Sequence, residues 1–462
     1  MFRKVNQVHF VGIGGIGMSG IAELLINLGF TVTGSDLQNS ELIEHLRQKG
    51  ATIYQGHKAS QIAAADALVY SSAVQEDNPE LIAARERGIP VIRRAEMLGE
   101  LIAVKETSIG VGGTHGKTTT SSLIGTVLSN AGLDPTLVVG GLVKNIDTNS
   151  QLGSGDIIVV EADEFDRSFL ALRPTIAVVT NIELEHTDCY ANLEDLQHAF
   201  TQFCNSVPFY GAVITCLDST GVQEILANIK RPVITYGFSN QADVSARNCY
   251  YHENTSRFTA LNKGEPLGTV TLQIPGKHNI LNSLAAIALG LEMGISFDKI
   301  TSGLKAYGGV RRRFEIKGIA HDVMVVDDYA HHPTEVTVTL RAARRGWERR
   351  IVAVFQPHLF TRTRDFYRDF ATAFMESDVL VVTDIYPARE QEIPGITGEL
   401  VAQAARSSGH KQVYYVPDLK DLQEQLDEIV RAGDMVLTVG AGSIWRYAES
   451  YYQHLKDRET LS

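Results

Sequence analysis

Between a short apolar run and a segment of helical pattern, the chain reads Ile109-Gly110-Val111-Gly112-Gly113-Thr114-His115-Gly116-Lys117-Thr118-Thr119-Thr120. Glycines in such a strand-to-helix turn let backbone N–H groups approach phosphate oxygens closely. The helix start adds positive potential, and the lysine reaches the terminal phosphates. Gly113, Thr114, Gly116, Lys117, Thr118 and Thr119 are therefore expected to bind a nucleoside triphosphate, with the Thr118 hydroxyl placed for Mg2+. The strict phosphate-loop pattern has glycine five residues before Gly116; here that residue is Val111, with glycines at 110, 112 and 113 around it. An ordinary Gly-rich turn beside an exposed lysine is the competing reading. It does not account for a Gly-Lys-Thr-Thr-Thr run at this junction.

A triphosphate site needs hard oxygen ligands for Mg2+. Ile157-Ile158-Val159-Val160-Glu161-Ala162-Asp163-Glu164-Phe165-Asp166 sets four carboxylates at the end of an apolar strand, where open α/β sheets keep their ligand crevice. Glu161, read as the first residue past the strand, is the expected metal ligand; a solvated acidic loop is the alternative. The next strand end reads Thr180-Asn181-Ile182-Glu183-Leu184-Glu185-His186-Thr187-Asp188. His186 can complete a second Mg2+ site, although a lone histidine there is more often a hydrogen-bonded structural residue. Asn279 and Asn282, three apart on one helix face, can hydrogen-bond an adenine or merely cap the helix. Arg313 can neutralise charge on a transferred phosphoryl group or make a surface salt bridge.

Asp327-Asp328-Tyr329-Ala330-His331-His332-Pro333-Thr334-Glu335 is too polar for a plain turn and reads as a site facing a cleft. In Gln356-Pro357-His358-Leu359-Phe360-Thr361-Arg362-Thr363-Arg364 the two arginines suit carboxylate or phosphate recognition. The alternative is exposed arginines beside a Thr363 cap. Near the start, Gly12, Gly14 and Gly17 fit G-x-G-x-x-G after the apolar run 8–11, and Asp36 stands where a Rossmann fold places its ribose-reading acid. Read alone this suggests NAD, yet a diphosphate on a helix start serves any nucleotide diphosphate.

Elements of α/β type must hold these residues. Apolar strand-like runs alternate with helical segments and restart at 107 and after 311. The expected class is α/β in three domains: 1–104 Rossmann-like; 105–310 a central P-loop ATPase domain with a mostly parallel sheet; 311–462 Rossmann-like again. Runs at 257–261 and 268–274 read as a hairpin added to the central sheet. Gly440-Ala441-Gly442-Ser443 reads as a tight turn. The 462 residues are 44% hydrophobic and 21% charged, enough for sizeable cores, and the net charge is −12 with basic residues scattered. That argues against a nucleic-acid partner. The 4 cysteines form no CxxC pair and fit a reducing compartment. With no apolar run long enough to span a bilayer and no leader-like start, a cytoplasmic protein without membrane insertion is expected.

The ordered set GIGGIGMSG, GVGGTHGKTTT, EADEFD, NIELEHTD, HNILN, RRRFE, DDYAHHPTE and QPHLFTRT resembles the Mur ligase family, most closely its alanine-adding branch. The resemblance implies that the first domain holds UDP-N-acetylmuramate rather than NAD, and that ATP phosphorylates the muramyl carboxylate. L-alanine would then capture the acyl-phosphate, with the third domain closing over the site. It further implies two Mg2+ ions served by Thr118, Glu161 and His186, and ATP contacts from Asn279, Asn282 and Asp328. Lys117, Arg313 and His331 would be catalytic. Tyr329, His331, Arg362 and Arg364 would face alanine and the muramyl group, and Gly14, Gly15, Gly17, Asp36 and Ser71 the uridine nucleotide. The carbamylated lysine of later-acting Mur ligases has no candidate by motif. A monomer or homodimer is expected. Three alternatives stay open: a ligase adding a preformed tripeptide to the same UDP-sugar, an NAD-dependent dehydrogenase, and an ATP-switched binding protein.

Overall fold

The structure is a computed structural model that describes residues 5–71, 73–185, 189–388 and 390–461. It divides into two compact units: Met1–Asn248 with Thr259–Val270 and Leu281–Gly308, and Cys249–Phe258 with Thr271–Ile280 and Gly309–Ser462.

The first unit begins with five strands: β1 (Gln7–Val11), β2 (Thr31–Asp36), β3 (Thr52–Gln55), β4 (Ala67–Tyr70) and β5 (Val91–Arg93). All pair in parallel, in the order β3-β2-β1-β4-β5. Central β1 is covered on both faces, which is why it reads as a near-continuous apolar run. The order reverses between β1 and β4, and such a switch point opens a crevice at the strands' carboxyl ends. Gly12–Gly17 follow β1 there, and Ser71 follows β4.

The second sheet contains β6 (Thr107–Gly112), β7 (Thr136–Val143), β8 (Thr148–Gln151), β9 (Ile157–Glu161), β10 (Ile176–Val179), β11 (Ala212–Cys216) and β12 (Val233–Gly237), then β13 (Val244–His252), β14 (Thr255–Asn262) and β15 (Glu265–Leu272). Its order is β15-β14-β13-β12-β11-β10-β6-β9-β7-β8. The pairings from β7 to β12 are parallel, while β8 runs antiparallel to β7. Glu161 is the last residue of β9 rather than the first beyond it. The hairpin expected at 257–274 is β14 and β15, turned at Lys263 (φ 49) and Gly264 (φ 85), the paired positive φ of a tight hairpin turn. Two strands lacked a sequence signal. β8 is Thr-Asn-Ser-Gln, without an apolar residue, and β13 is half exposed.

The second unit holds β16 (Glu315–Ala320), β17 (Val323–Asp328), β18 (Arg350–Phe355), β19 (Val379–Thr383), β20 (Val413–Val416) and β21 (Asp434–Val439), in the order β16-β17-β21-β18-β19-β20. Only β16 is antiparallel. One core packs under the Pro333–Gly346 and Phe360–Ala373 helices and another under Trp445–Leu461, the two-faced covering that a parallel sheet requires. No described helix is long and apolar enough to cross a membrane.

Candidate active site

The phosphate loop runs from β6 into the Lys117–Asn130 helix. Gly113 (φ 132) and Gly116 (φ 82) take backbone conformations that disfavour side chains, and a Cβ at Gly113 would run into the Thr180 hydroxyl. The loop is braced by the segment after β10. The Thr114 and His115 N–H groups donate to Asn181 O (3.0 Å) and Oδ1 (2.8 Å), and Thr180 Oγ1 donates to His115 O (2.6 Å). Thr114 Oγ1 donates to Glu183 O at 3.1 Å and accepts from its N–H at 2.9 Å. A Cβ on Gly116 would lie 2.8 Å from Asn282 Oδ1, so the Asn282 amide stands directly over the loop. Among the sequence-assigned nucleotide residues, Gly113 to Thr119 and Asn282 are thus brought together in the first unit.

Acidic residues flank this cradle because β6 lies between β9 and β10. Lys117 Nζ donates to Gly113 O (2.7 Å) and Thr114 O (3.2 Å), and lies 2.9 and 2.7 Å from the two carboxylate oxygens of Glu164. The Glu164 side chain is 1% exposed. Burial works against the Lys117 charge, but Glu164, then Asp163 and Glu185, outweigh it and keep the lysine protonated. Burial pushes the Glu164 carboxyl up to about 7, against the pull of Lys117. Tyr190 Oη donates to Glu164 O at 2.6 Å and fixes that backbone. Glu164 and Asn181 went unassigned in the sequence reading, although both lie inside motifs that it singled out.

The Gly-rich loop of the first sheet faces the same side of the second. Gly14 N–H donates to Asp36 Oδ2 (2.8 Å), while Gly12 and Ile13 N–H donate to Ser35 O. Asp36 therefore shapes the loop. The Ile16–Asn27 helix starts at Gly15 without a side-chain cap, which leaves its first N–H groups for an anion. A cavity of about 280 Å³ is lined by Gly15, Gly17, Ser71, Arg94, Gly140 and Glu161, among others. Arg94 Nη2 lies 3.7 Å from Asp163 Oδ2. Arg94 carried no motif and was missed. Gly15, Gly17 and Ser71 line this cavity, while Gly14 and Asp36 meet each other in the adjoining loop. His186 lies outside the described residues.

In the second unit, Asp328 Oδ2 accepts from Phe314 N–H (2.7 Å) and Oδ1 from Ala330 N–H (2.8 Å). Burial raises its carboxyl to about 6, with Arg313 and these amides opposing. Arg312 and Arg313 lie 4.8 and 5.3 Å from the Tyr329 ring centre, within cation–π range. Arg313 Nη1 is 3.8 Å from Glu335 Oε1, and His331 N–H donates to Glu335 Oε2 at 2.9 Å. The His331 ring centre is 6.1 Å from that of His358, whose Nδ1 is 3.3 Å from Arg362 Nη1. Arg313, Asp328, Tyr329, His331 and Arg362 thus form one cluster. Arg364 does not join it: two residues along the helix it faces elsewhere, with Nε 2.7 Å from Asp365 Oδ1. Asn279, the third residue of the Lys277–Glu292 helix, donates through Nδ2 to Pro275 O at 2.7 Å. It ties the helix to the preceding chain and is not an N-cap, whose side chain would accept from a helix N–H. Arg312 and Glu335 were missed because an ion pair across an element is invisible in a linear motif.

Comparison with known proteins accords with this geometry. Residues 7–106 match the family description "Mur ligase family, catalytic domain", 111–290 "Mur ligase middle domain" and 312–442 "Mur ligase, glutamate ligase domain". A curated UDP-N-acetylmuramate–L-alanine ligase from Salinibacter ruber is 52% identical over 456 residues, covering 98% of this chain and 96% of the relative. A crystal structure of a UDP-N-acetylmuramate-alanine ligase from Thermotoga maritima is similar at TM-score 0.85 and 29% identity, covering 98% of this chain and 99% of that one. A murein peptide ligase from Psychrobacter arcticus is similar at TM-score 0.71 and 25% identity, covering 97% and 98%. The three matched segments and the near full-length identity establish that the chain belongs to the Mur ligase family.

Proposed function

We propose that this chain is an ATP-dependent UDP-N-acetylmuramate–L-alanine ligase of peptidoglycan precursor synthesis, acting in the cytoplasm as a monomer or homodimer. One observation carries the proposal: Glu161, at the end of the strand beside the phosphate loop, lines the same cavity as the uncapped helix start at Gly15–Gly17. A nucleotide diphosphate held at that helix start would share its cavity with Glu161, whose strand pairs with the one leading into the loop at 113–119.

The donors fit Mg2+, since the Thr118 hydroxyl and Glu161 carboxylate are hard oxygens at the crest that carries the loop. A bound Mg2+ would neutralise phosphate charge at these two residues. The protein's own contributions follow from its geometry. The left-handed turns at Gly113 and Gly116 expose backbone N–H groups for the phosphates. Lys117 is held charged for the γ-phosphate, and Asn282 stands over the loop where the nucleoside leaves it. The muramyl carboxylate oxygen attacks the γ-phosphorus, the bond to the β-bridging oxygen breaks and ADP departs. The neutral amine of L-alanine then attacks the acyl carbon. Phosphate leaves with the C–O bond pair, and the nitrogen gives up a proton as the amide forms. Arg313 is assigned to the phosphoryl charge, Tyr329, His331 and Arg362 to alanine and the muramyl group, and the 1–104, 105–310 and 311–462 segments to UDP-sugar, ATP and closure.

The test is ADP and phosphate release with UDP-N-acetylmuramate and each acceptor in turn. Release that requires L-alanine supports the proposal. Release with L-Ala-γ-D-Glu-diaminopimelate but not with L-alanine would move the chain to the tripeptide-adding activity.

A further inference from the structure

The polar edge strand β8 has a role that the motifs do not describe. Three of its four polar residues, Thr148, Asn149 and Ser150, lie against the Ile16–Asn27 helix that follows β1. Asn149, 2% exposed, donates through Nδ2 to Ile16 O at 2.6 Å and lies 3.4 Å from Ser19 Oγ. Thr148 Oγ1 and Ser150 Oγ each donate to Glu23 Oε2 at 3.0 Å, and His45 Nε2 lies 3.1 Å from Glu23 Oε1. Glu23 is 4% exposed.

The same strand is tied to the metal-side strand. Ser150 pairs with Val138 of β7, and Val138 pairs with Val160 of β9, the residue before Glu161. Val138 and Gly140 of β7 also line the cavity that holds Gly15, Gly17 and Glu161. An apolar contact would let the helix slide along the sheet edge. A buried carboxylate whose partners are supplied from both sides does not, because any slip strands a desolvated charge.

We propose that Asn149 is a positioning residue: with Thr148, Ser150 and Glu23 it clasps the start of the Ile16–Asn27 helix and sets the spacing between the bound muramyl carboxylate and the γ-phosphate. The inference rests on the ligase reading for its catalytic consequence, but its structural content stands apart from it. Asn149 is not among the residues that line the cavity holding Gly15, Gly17 and Glu161. Its loss leaves each binding site intact and misaligns the two.

The experiment uses the full chain with Asn149→Asp, which keeps size but loses the donor, and Asn149→Ala. We expect kcat for ADP release at saturating substrates to fall about tenfold or more, with equilibrium Kd values for ATP and for UDP-N-acetylmuramate each within about threefold of wild type. Amide hydrogen exchange should quicken together in Ile16–Asn27 and Thr136–Val143. A kcat within about twofold of wild type for Asn149→Asp, or a loss confined to the Kd for the UDP-sugar, overturns the proposal. So does a fall in kcat that merely tracks a lower thermal midpoint in both variants. If wild type releases no ADP with these substrates, the ligase reading fails, and the paired exchange change still decides the clasp.

Discussion

Lys117 Nζ sits 2.7 Å from Glu164 Oε2, with the carboxylate almost completely buried. The residue proposed to meet a triphosphate is therefore already satisfied by a carboxylate 47 positions away and by two carbonyls of its own loop. If Lys117 meets the phosphates as proposed, they must draw it from these partners, and the ion pair sets part of the cost of ATP binding.

Glu164→Gln removes the charge and keeps the shape. ATP affinity is expected to rise by about tenfold, close to the ~1.5 kcal/mol at the lower end for a hydrogen bond to a charged group. Calorimetric titration with a nonhydrolysable ATP analogue checks it, and an unchanged or weaker affinity would refute this reading of the pair. Lys117→Ala should abolish ligation and leave UDP-sugar binding nearly intact. Ligation near the wild-type rate would remove the loop from the chemistry.

Glu161→Gln is expected to weaken the Mg2+ dependence of activity and the turnover together, because an amide is a poorer hard-oxygen ligand than a carboxylate. Activity titrated against magnesium gives the answer; coincident curves for variant and wild type would assign Glu161 another role.

Gly116→Ala places a Cβ where φ is 82 and only 2.8 Å from Asn282 Oδ1. The left-handed backbone alone costs about 1–2 kcal/mol for a residue with a side chain, so ATP affinity should fall by about tenfold. Equilibrium binding of the same analogue measures this, and wild-type affinity would mean that the turn is less constrained than its geometry shows.

The start of the Lys277–Glu292 helix carries a pH-sensitive group. Burial first, and Arg313 next, lower the His278 pKa from 6.5 to about 4. Its neutral form is favoured in the folded protein, so the stability present above pH 6.5 is lost as pH falls toward 4, by about 2 kcal/mol at pH 5. Asp328 acts in the opposite sense: its pKa is raised to about 6, and its contribution is lost as pH rises from 3.8 through 6. The comparison is therefore between wild type and His278→Gln. The variant should lose less stability between pH 7 and pH 5, read from the urea unfolding midpoint of each. Equal losses would show that His278 is not held neutral.

Much of the fold was legible because its signals are local. Buried parallel strands read as apolar runs, and the Gly-rich turns after β1 and β6 read as nucleotide cradles, since contiguous residues carry the geometry. Of the strands that were missed, β3, β8 and β16 lie at sheet edges, and β12 and β13 are partly exposed. Their sequences carry at most a short apolar run because little of their surface is buried.

Amino-acid order alone determined the phosphate loop at 112–118, the acidic strand end at Glu161 and the succession of α/β elements, all properties of neighbours along the chain. Only the tertiary structure decided that Lys117 is held by Glu164, that Asn149 reaches Ile16, and that Arg362 joins Tyr329 and His331 while Arg364 turns to Asp365. These relations depend on which strands become neighbours in the sheets. Crossover connections settle that by burying apolar faces far apart in sequence, leaving the polar residues at the strand ends to meet whatever the packing brings beside them.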